Sequence, residues 1–177
     1  NKKLFEKISL LISHGMVRKD LNKHWSYNIL FPGYNFRLSD LNCSLGINQL
    51  NRISRFMLER KKIARFYYKK LKEYHDFITL PKIDNIQCAW HLYIVNFKFK
   101  NFKHRENFFS YLNKNKIVVQ YHYIPIYRFS VAKGFKKLKG CEDYYKSAVS
   151  LPIFVGLKIS QQLKIIEFIL KFFKRIS

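Results

Sequence analysis

The segment GYNFRLSDLNCSLGINQLNRISRFMLERKKIARFYYKKLKEY, residues 33–74, decides the fold of this chain. Over residues 38–74 its apolar side chains recur every three or four positions, which is the spacing of one helix face. Ser39 or Asp40 is suited to cap the beginning of such a helix. The pattern exceeds the roughly 11–12 residues of an average helix. It therefore predicts one long helix, or two helices joined within residues 46–51.

The sequence before this segment predicts a helix and a turn region. Residues 3–13 (KLFEKISLLIS) place apolar side chains at helical spacing. His14-Gly15 supplies the end of that helix, because glycine readily adopts the left-handed conformation of a C-terminal cap. Residues 16–33 have mixed polarity and end in the turn sequence FPG, which predicts a short loop or hairpin.

The sequence after this segment alternates between short strand-like and helix-like patterns, once Leu80-Pro81 has ended the helix. The first part of these patterns predicts a strand over 89–99, a helix over 105–115, a strand over 116–121 and a loop over 122–129. The rest predicts an irregular stretch over 130–140, a short helix over 141–148, an extended segment over 150–152 and a helix from the cap Ser160 to about Phe173. This order fits a small α+β layer, with a sheet covered by helices on one face.

The composition limits what the chain can be. Of its 177 residues 48% are hydrophobic and 18% are aromatic, which excludes a disordered chain. No uncharged apolar run approaches about 18 residues, so we expect no membrane-spanning helix. Because the charged N-terminal sequence NKK runs into a helical pattern with charges inside it, we expect no signal peptide. Because the first residue is not Met, we expect a fragment or a processed chain.

The charge balance favours an anionic partner, because 34 Lys and Arg residues oppose 11 Asp and Glu residues and give a formal net charge of +23. A nucleic acid is one such partner, but the basic residues are spread along the chain rather than gathered on one helix or arm. The chain is also rich in Lys, Asn, Ile, Phe and Tyr, the residues of A/T-rich codons. A codon bias of this kind raises the number of lysines without any selection for binding. We therefore expect no nucleic-acid partner, and a non-catalytic basic nucleic-acid-binding or interaction module stays the alternative.

The three cysteines, Cys43, Cys88 and Cys141, lie far apart and form no paired metal-ligand spacing. Their odd number indicates a reduced, cytoplasmic protein without structural disulfides or a metal site. We expect the cysteines to be buried as small apolar side chains. Carboxylates are too scarce in the sequence for two-carboxylate catalysis, and it contains no phosphate-loop, dinucleotide or zinc motif.

The sequence GYNFRLSDLN, residues 33–42, is the first candidate for a ligand site. The amide of Asn35 and the guanidinium of Arg37 directly precede a helix, whose first N–H groups lack intrahelical acceptors. Such donors suit a phosphate group. From the residues alone, turn formation and helix capping explain the same sequence.

The sequence QYHYIPIYR, residues 120–128, is the second candidate. Three tyrosines cluster there with His122 and Arg128 around a proline. Such a loop suits a polar ring and a phosphate, and the alternative is a loop that packs its aromatic side chains on the core. We expect His14 and His91 to be structural rather than catalytic.

Six segments together resemble the sugar aminotransferases of the DegT/StrS family. They are, in chain order, SHG at 13–15, GYNFRLSDLNCSLGINQL at 33–50, IARFYYKKL at 63–71, AWHLYIV at 89–95, HYIPIY at 122–127 and SLPIFVGL at 150–157. The usual family form of the second segment is close to GYNYRMTDIQAALGLSQL. HYIPIY and the pattern from Glu142 to Pro152 are most similar to the branch that aminates a UDP-linked 4-keto sugar in pseudaminic acid synthesis.

The resemblance implies an α/β fold, that of the type I pyridoxal 5'-phosphate (PLP) transferases, of which this chain would be a fragment. The fragment would comprise the end of the large cofactor domain with an interface segment (1–50), a long connecting helix (51–80) and the small C-terminal α+β domain (81–177). The lysine that forms the Schiff base with PLP would lie upstream. The resemblance therefore implies no catalytic residue in this chain and no activity of the chain alone.

The resemblance also implies partners and residue roles. Asn35 matches the residue that hydrogen-bonds the PLP phosphate of the partner subunit in family homodimers, whose active sites lie at the subunit interface. Arg37 matches a position near the phosphates of the cofactor and of the nucleotide-sugar. The loop that lines the sugar pocket is matched by His122, Tyr123 and Tyr127. The implied reaction transfers an amino group from glutamate to the keto carbon of a nucleotide-sugar, for surface-glycan synthesis.

Overall fold

A computed structural model describes residues 1–18, 26–83, 88–132 and 134–174. Contacts within the chain divide it into two compact units, Asn1–Arg52 and Ile53–Ser177. The division falls inside the longest helix, α2, which spans Asp40–Leu71 and contributes residues to both units. The three-part division at residues 50 and 80 stays a prediction.

The first unit holds a helix, a pair of strands and the beginning of α2. Helix α1 spans Lys2–Leu11, which confirms the helix expected over 3–13. Strands β1 (Met16–Arg18) and β2 (Tyr27–Ile29) pair in antiparallel orientation, so the hairpin is the correct one of the two predictions for this region. Residues 19–25 between the strands lie outside the described part of the chain.

Helix α2 is one helix of 32 residues, which decides between the one-helix and two-helix predictions. Its beginning is capped as expected, because Ser39 Oγ accepts a hydrogen bond of 3.3 Å from the Asn42 N–H. Gly46 lies inside the helix without breaking it. A helical glycine costs about 1 kcal/mol relative to alanine, which is too little to interrupt a helix of this length.

The two parts of α2 differ in burial. In the second unit one face of the helix packs into the core, through Ile63, Ala64, Tyr67 and Leu71. In the first unit the apolar side chains of the same helix are exposed, among them Leu41, Leu45 and Leu50. Helix α1 likewise has no buried residue. The apolar periodicity predicted the helix correctly, but among the described residues only its C-terminal part has a buried face.

The second unit contains a three-stranded antiparallel sheet in the order β3-β4-β5. The strands are β3 (Ile78–Thr79), β4 (Tyr93–Phe97) and β5 (Ala148–Leu151). Along β4 buried and half-buried residues alternate, as expected for a strand with one face in the core. This strand is shorter than the predicted 89–99, and it begins only after Trp90, whose φ of 49° lies outside the extended region.

The predicted strand over 116–121 is wrong. This segment forms a single antiparallel bridge, in which Gln120 N–H donates to Ser150 O and Ser150 N–H donates to Gln120 O at 2.7 Å. The alternation of its side chains is nevertheless real, since Ile117 and Val119 are buried and Val118 is exposed. The apolar alternation therefore predicted correctly which side chains of this segment face the core, although its backbone pairs with β5 at one position only.

Further α-helices of the described ranges are α3 (Phe102–Lys114), α4 (Lys139–Ser147) and α5 (Ile159–Lys174), close to those expected from the sequence. Two single 3-10 turns, Ile126–Arg128 and Ser130–Ala132, lie between α3 and α4. Helix α3 begins earlier than expected because Asn101 Oδ1 accepts a hydrogen bond of 2.8 Å from the His104 N–H. Ser160 does not cap α5. Instead, Gln161 Oε1 reaches back to the Lys158 N–H at 2.9 Å, as in the second half of a capping box. In the described ranges no helix has the length and apolar character needed to cross a membrane.

The core of the second unit is aromatic. Its largest fully buried side chains include Tyr67, Tyr93, Phe97 and Phe108. The ring of Phe97 lies 5.1 Å from that of Phe108 and 5.5 Å from that of Phe173. Such aromatic pairs add to the hydrophobic free energy of the buried rings. The buried amide of Gln162 is satisfied, because its Nε2 donates to Ile63 O at 3.1 Å.

The three cysteines are free thiols, as expected for a reduced protein. Their expected burial is wrong, because Cys43 and Cys141 are exposed and Cys88 is half-buried. Cys43 lies on the uncovered N-terminal part of α2, and Cys141 lies in the first turn of α4. Composition predicts the burial of cysteine as a residue type, and it cannot show which helix faces this chain leaves uncovered.

Candidate functional site

The turn at His14-Gly15 brings the sequence GYNFR against the end of α1. His14 N–H donates to Tyr34 O at 2.9 Å. Gly15 has a φ of 66°, and a Cβ built on it would lie 2.0 Å from Phe31 O. Only glycine fits there, both for its backbone conformation and for the close approach of the two segments. The expected left-handed glycine is confirmed, and it also allows this crossing.

Asn35 and Arg37 form a hydrogen-bonded pair at the crossing. Arg37 Nε donates to Asn35 Oδ1 at 2.8 Å. Arg37 Nη2 also lies 3.3 Å from His14 Nε2. Both residues of the pair are exposed. Because the amide oxygen is engaged, the Asn35 Nδ2 and Arg37 Nη1 groups are the donors that the pair presents to a ligand.

The beginning of α2 contributes less to this group than the sequence predicted. The Asn42 N–H is satisfied by Ser39 Oγ, and the Cys43 N–H donates to Ser39 O at 2.9 Å. Asp40 adds a carboxylate to the first helical turn. A capped helix end with its own carboxylate has little attraction left for a second anion. The donors for an anion are therefore the side chains of Asn35 and Arg37.

The second candidate segment holds His122 against the sheet and presents Tyr123 to solvent. His122 Nδ1 and Ser150 Oγ lie 2.7 Å apart, which fixes the imidazole against β5. The Tyr123 ring lies 4.6 Å from the His122 ring, and Tyr123 is 72% exposed. Core packing, the alternative interpretation of this segment, is therefore wrong for Tyr123. It holds for Tyr121, whose ring packs on Phe109.

A shallow cavity of about 180 Å³ lies beside His122. Its polar lining includes His91, Gln120 and Ser150 together with His122. Two imidazoles, an amide and a hydroxyl give this cavity the mixed donors and acceptors that a sugar requires. His91 was expected to be structural, and the apolar pattern around it gave no signal that it shares a cavity with His122.

Tyr127 lies in a single 3-10 turn, Ile126–Arg128, and its hydroxyl donates to Leu138 O at 3.3 Å. The neighbouring Arg128 pairs with Glu142 through Nε and Nη2, and this guanidinium holds the pKa of the Glu142 carboxyl below its usual value. Burial, followed by the hydrogen bond with Glu142, raises the pKa of Tyr127. Tyr127 is therefore a protonated phenol at neutral pH.

The candidate residues form two groups, one in each unit. The first contains Asn35 and Arg37, to which the structure adds His14, a residue that the sequence analysis treated as structural. The second contains His122 and Tyr123, to which the structure adds Ser150, whereas Tyr127 lies apart from them in its contacts, bonded to Leu138 and next to the Arg128–Glu142 pair. The contacts of His14 with Arg37 and of His122 with Ser150 join residues that are far apart in sequence. The local sequence contains one signal that His14 lies near Arg37, namely its position directly before the left-handed Gly15.

The profile of the DegT/DnrJ/EryC1/StrS aminotransferase family matches residues 1–170. A UDP-4-amino-4,6-dideoxy-N-acetyl-beta-L-altrosamine transaminase from Campylobacter jejuni is 38% identical over 155 residues, which cover 86% of this chain and 40% of that protein. The solved structure of Helicobacter pylori PseC, an aminotransferase of pseudaminic acid biosynthesis, matches with a TM-score of 0.89 and 29% identity. That match covers 99% of this chain and 47% of PseC.

The PLP form of Spr1654, a sugar aminotransferase from Streptococcus pneumoniae, has the same fold over 99% of this chain and 45% of its own, with a TM-score of 0.86 at 22% identity. The chain thus spans less than half the length of the relatives it matches. The expected α/β fold of PLP-dependent transferases is confirmed, and this chain covers part of it. Since the family profile, the fold and the order of the six motifs agree along nearly the whole sequence, the chain belongs to the DegT/DnrJ/EryC1/StrS aminotransferase family.

Proposed function

We propose that this chain is the C-terminal portion of a cytoplasmic enzyme that transfers an amino group from glutamate to the keto carbon of a UDP-linked 4-keto sugar. The product would serve surface-glycan synthesis, with pseudaminic acid as the leading case. The observation that carries this proposal is the 38% identity to the Campylobacter jejuni transaminase over 86% of this chain. The complete enzyme would be a homodimer that binds PLP and the nucleotide-sugar at the subunit interface.

The donor set of Asn35 and Arg37 fits the phosphate of PLP. That phosphate is a dianion, and charged or fixed N–H donors bind it well. The bond from Arg37 Nε to Asn35 Oδ1 orients the Asn35 amide and leaves its two N–H donors for the phosphate. We assign both side chains to the cofactor phosphate, with Arg37 also near the phosphates of the nucleotide-sugar. When bound, PLP supplies the electron sink that allows the amino group to leave the donor and join the sugar.

We assign His122, Tyr123 and Tyr127 to the sugar. With His122 Nδ1 held by Ser150 Oγ, Nε2 is the ring atom that remains for a sugar hydroxyl or keto oxygen. The exposed ring of Tyr123 offers an apolar face to the sugar ring, and the hydroxyl oxygen of Tyr127, whose hydrogen is donated to Leu138 O, offers an acceptor. The net charge of +23 also attracts an anionic nucleotide-sugar.

The test uses a chimera, in which this chain is joined to the N-terminal part of the Campylobacter jejuni transaminase that it does not cover. We expect the purified dimer to bind PLP, with an absorbance band that shifts when glutamate is added. We then expect an aminated product from a UDP-linked 4-keto sugar, detected by mass spectrometry. The intact Campylobacter jejuni protein is the matched control for the assay.

Two results separate this function from its alternative. A folded, dimeric chimera that binds no PLP would contradict the proposal and favour a non-catalytic interaction module. PLP binding with a glutamate reaction but no reaction with the UDP-linked sugar would retain aminotransferase chemistry and reject the sugar assignment.

A further inference from the structure

We propose that Arg105 is a positioning residue, which holds both ends of the loop 121–128 in one stack of cations and aromatic rings. This inference rests on the function proposed above, because that loop carries the residues assigned to the sugar. The arginine–aromatic stack consists of Phe102, Arg105, Tyr121, Arg128 and Tyr145.

Arg105 is the buried member of the stack, with 5% of its surface exposed. A guanidinium that is removed from water needs other groups to compensate for its lost hydration. In the part of the chain that the structure describes, no carboxylate pairs with Arg105. Its Nη1 donates instead to Tyr145 O at 2.5 Å. Its Cζ lies 4.4 Å from the ring centroid of Tyr145, 5.0 Å from that of Phe102 and 5.1 Å from that of Tyr121. The compensation therefore comes from a carbonyl and three ring faces.

Arg128 contacts two of the same rings. Its Cζ lies 5.2 Å from the ring centroid of Tyr145 and 5.6 Å from that of Phe102. Glu142 pairs with this guanidinium and neutralises its charge. Two guanidinium groups thus contact each of the Phe102 and Tyr145 rings. One is that of the buried Arg105 on α3, and the other is that of Arg128 in the loop, whose partner Glu142 lies on α4.

The stack connects the two ends of the substrate loop to α3 and α4. Tyr121 is the first residue of the loop and packs on Arg105, whereas Arg128 is the last and packs on Phe102 and Tyr145. The loop ends are therefore fixed through the rings that Arg105 orders. This also explains the sequence Glu142-Asp-Tyr-Tyr145, in which the first residue pairs with Arg128 and the last carries the shared ring.

Loop order is tested on the 177-residue chain by amide hydrogen exchange. The informative amides are those of Arg128 and Phe129, which donate to Pro125 O and Ile126 O within the loop. In Arg105→Met we expect these amides to exchange about tenfold faster, while the amides of α5 keep their protection. Arg105→Lys, which keeps the charge without the planar group, should restore part of the protection. The control is Lys103→Met, which removes an exposed cation from the same helix and should change nothing.

The consequence for the reaction is tested on the chimera. We expect Arg105→Met to raise the KM for the UDP-linked sugar by about tenfold, with an unchanged rate for the reaction of bound PLP with glutamate. A general loss of structure would slow both half-reactions together. If Arg105→Met does not fold, Arg128→Met tests the opposite end of the stack with the same two readouts.

Unchanged exchange of Arg128 and Phe129 would overturn the inference, and so would an equal loss of both half-reactions. A chimera without any transamination would contradict the proposed function instead. The exchange measurement needs no enzyme activity, so it decides about the stack even in that case.

Discussion

Arg37 Nε donates a hydrogen bond of 2.8 Å to Asn35 Oδ1, and this bond turns the amide oxygen toward Arg37 and leaves both Asn35 Nδ2 hydrogens to a ligand. An asparagine side chain offers two N–H donors and an oxygen with two lone pairs, one of which accepts from Arg37 here. Aspartate in its place would still accept from Arg37, but it would present a carboxylate to the ligand. The two residues act as a unit, so the effects of changing them will not add.

Asn35→Ala should weaken PLP binding by the chimera by about 10- to 100-fold, because a hydrogen bond to a charged group contributes about 1.5–3 kcal/mol. Asn35→Asp should weaken it further, since the new carboxylate repels the phosphate. Absorbance titration of the cofactor-free chimera with PLP gives both dissociation constants.

The control is Asn48→Ala, which removes an exposed amide from α2 and should leave the dissociation constant unchanged. A dissociation constant for Asn35→Ala equal to that of the unchanged chimera would show that the amide is not a donor to the phosphate.

Two glycines allow a matched test of the crossing below this pair. Gly15→Ala should destabilise the chain by several kcal/mol, because a Cβ there lies 2.0 Å from Phe31 O and φ is 66°. Gly46→Ala should stabilise it by about 0.5–1 kcal/mol, since nothing lies within 4 Å of its Cβ and alanine favours the helix. Urea unfolding, followed by circular dichroism, measures both. The free energy of unfolding must fall in Gly15→Ala and rise in Gly46→Ala. A decrease of similar size in both variants would contradict the role assigned to Gly15.

Local signals were sufficient to predict most of the helices. The cap Ser39 and the apolar period over α2 are both confirmed, because capping and amphipathicity involve residues a few positions apart. The strand expected over 116–121 is wrong because strand pairing depends on a partner distant in sequence. Here only Gln120 reaches Ser150.

The same distinction holds for the candidate site. Arg37 and His122 could be singled out because unusual residue types cluster around them in the sequence. Their partners His14 and Ser150 could not, since each contact spans more than 20 residues. The arginine–aromatic stack was missed for the same reason, because its rings come from α3, the loop and α4.

Two buried tyrosines should respond oppositely to loss of the hydroxyl. Tyr67 and Tyr93 stack with ring centroids 5.2 Å apart, and the hydroxyl of Tyr67 donates to Pro152 O at 3.0 Å. In the described ranges the buried hydroxyl of Tyr93 has no hydrogen-bond partner. We expect Tyr67→Phe to destabilise the chain by about 1 kcal/mol, and Tyr93→Phe to be neutral or stabilising by up to about 1 kcal/mol. Each is the control for the other in urea unfolding, and a clear loss in Tyr93→Phe would reveal a partner for its hydroxyl.

His104 should make the stability of the chain depend on pH. Burial, and then the charge of Lys100, lowers the pKa of His104 below its usual value of 6.5. Its Nδ1 accepts the Lys100 N–H at 3.2 Å, and its buried Nε2 has no hydrogen-bond partner among the described residues. As the pH falls through 6.5 the unfolded chain binds a proton that the folded chain resists. The free energy of unfolding therefore has its full contribution from neutral His104 above pH 6.5. It loses this contribution as the pH falls from 6.5 to the lower pKa of His104 in the folded chain.

We expect the free energy of unfolding, measured in urea between about pH 7.5 and about pH 5.5, to fall less in His104→Phe than in the unchanged chain. Phenylalanine keeps the ring that packs on Phe99 and Phe172, but it cannot be protonated. His75→Phe is the control, because it makes the same substitution at an exposed histidine away from the rings around His104. If the His104→Phe and unchanged chains lose the same free energy over this interval, the pH dependence arises from other groups.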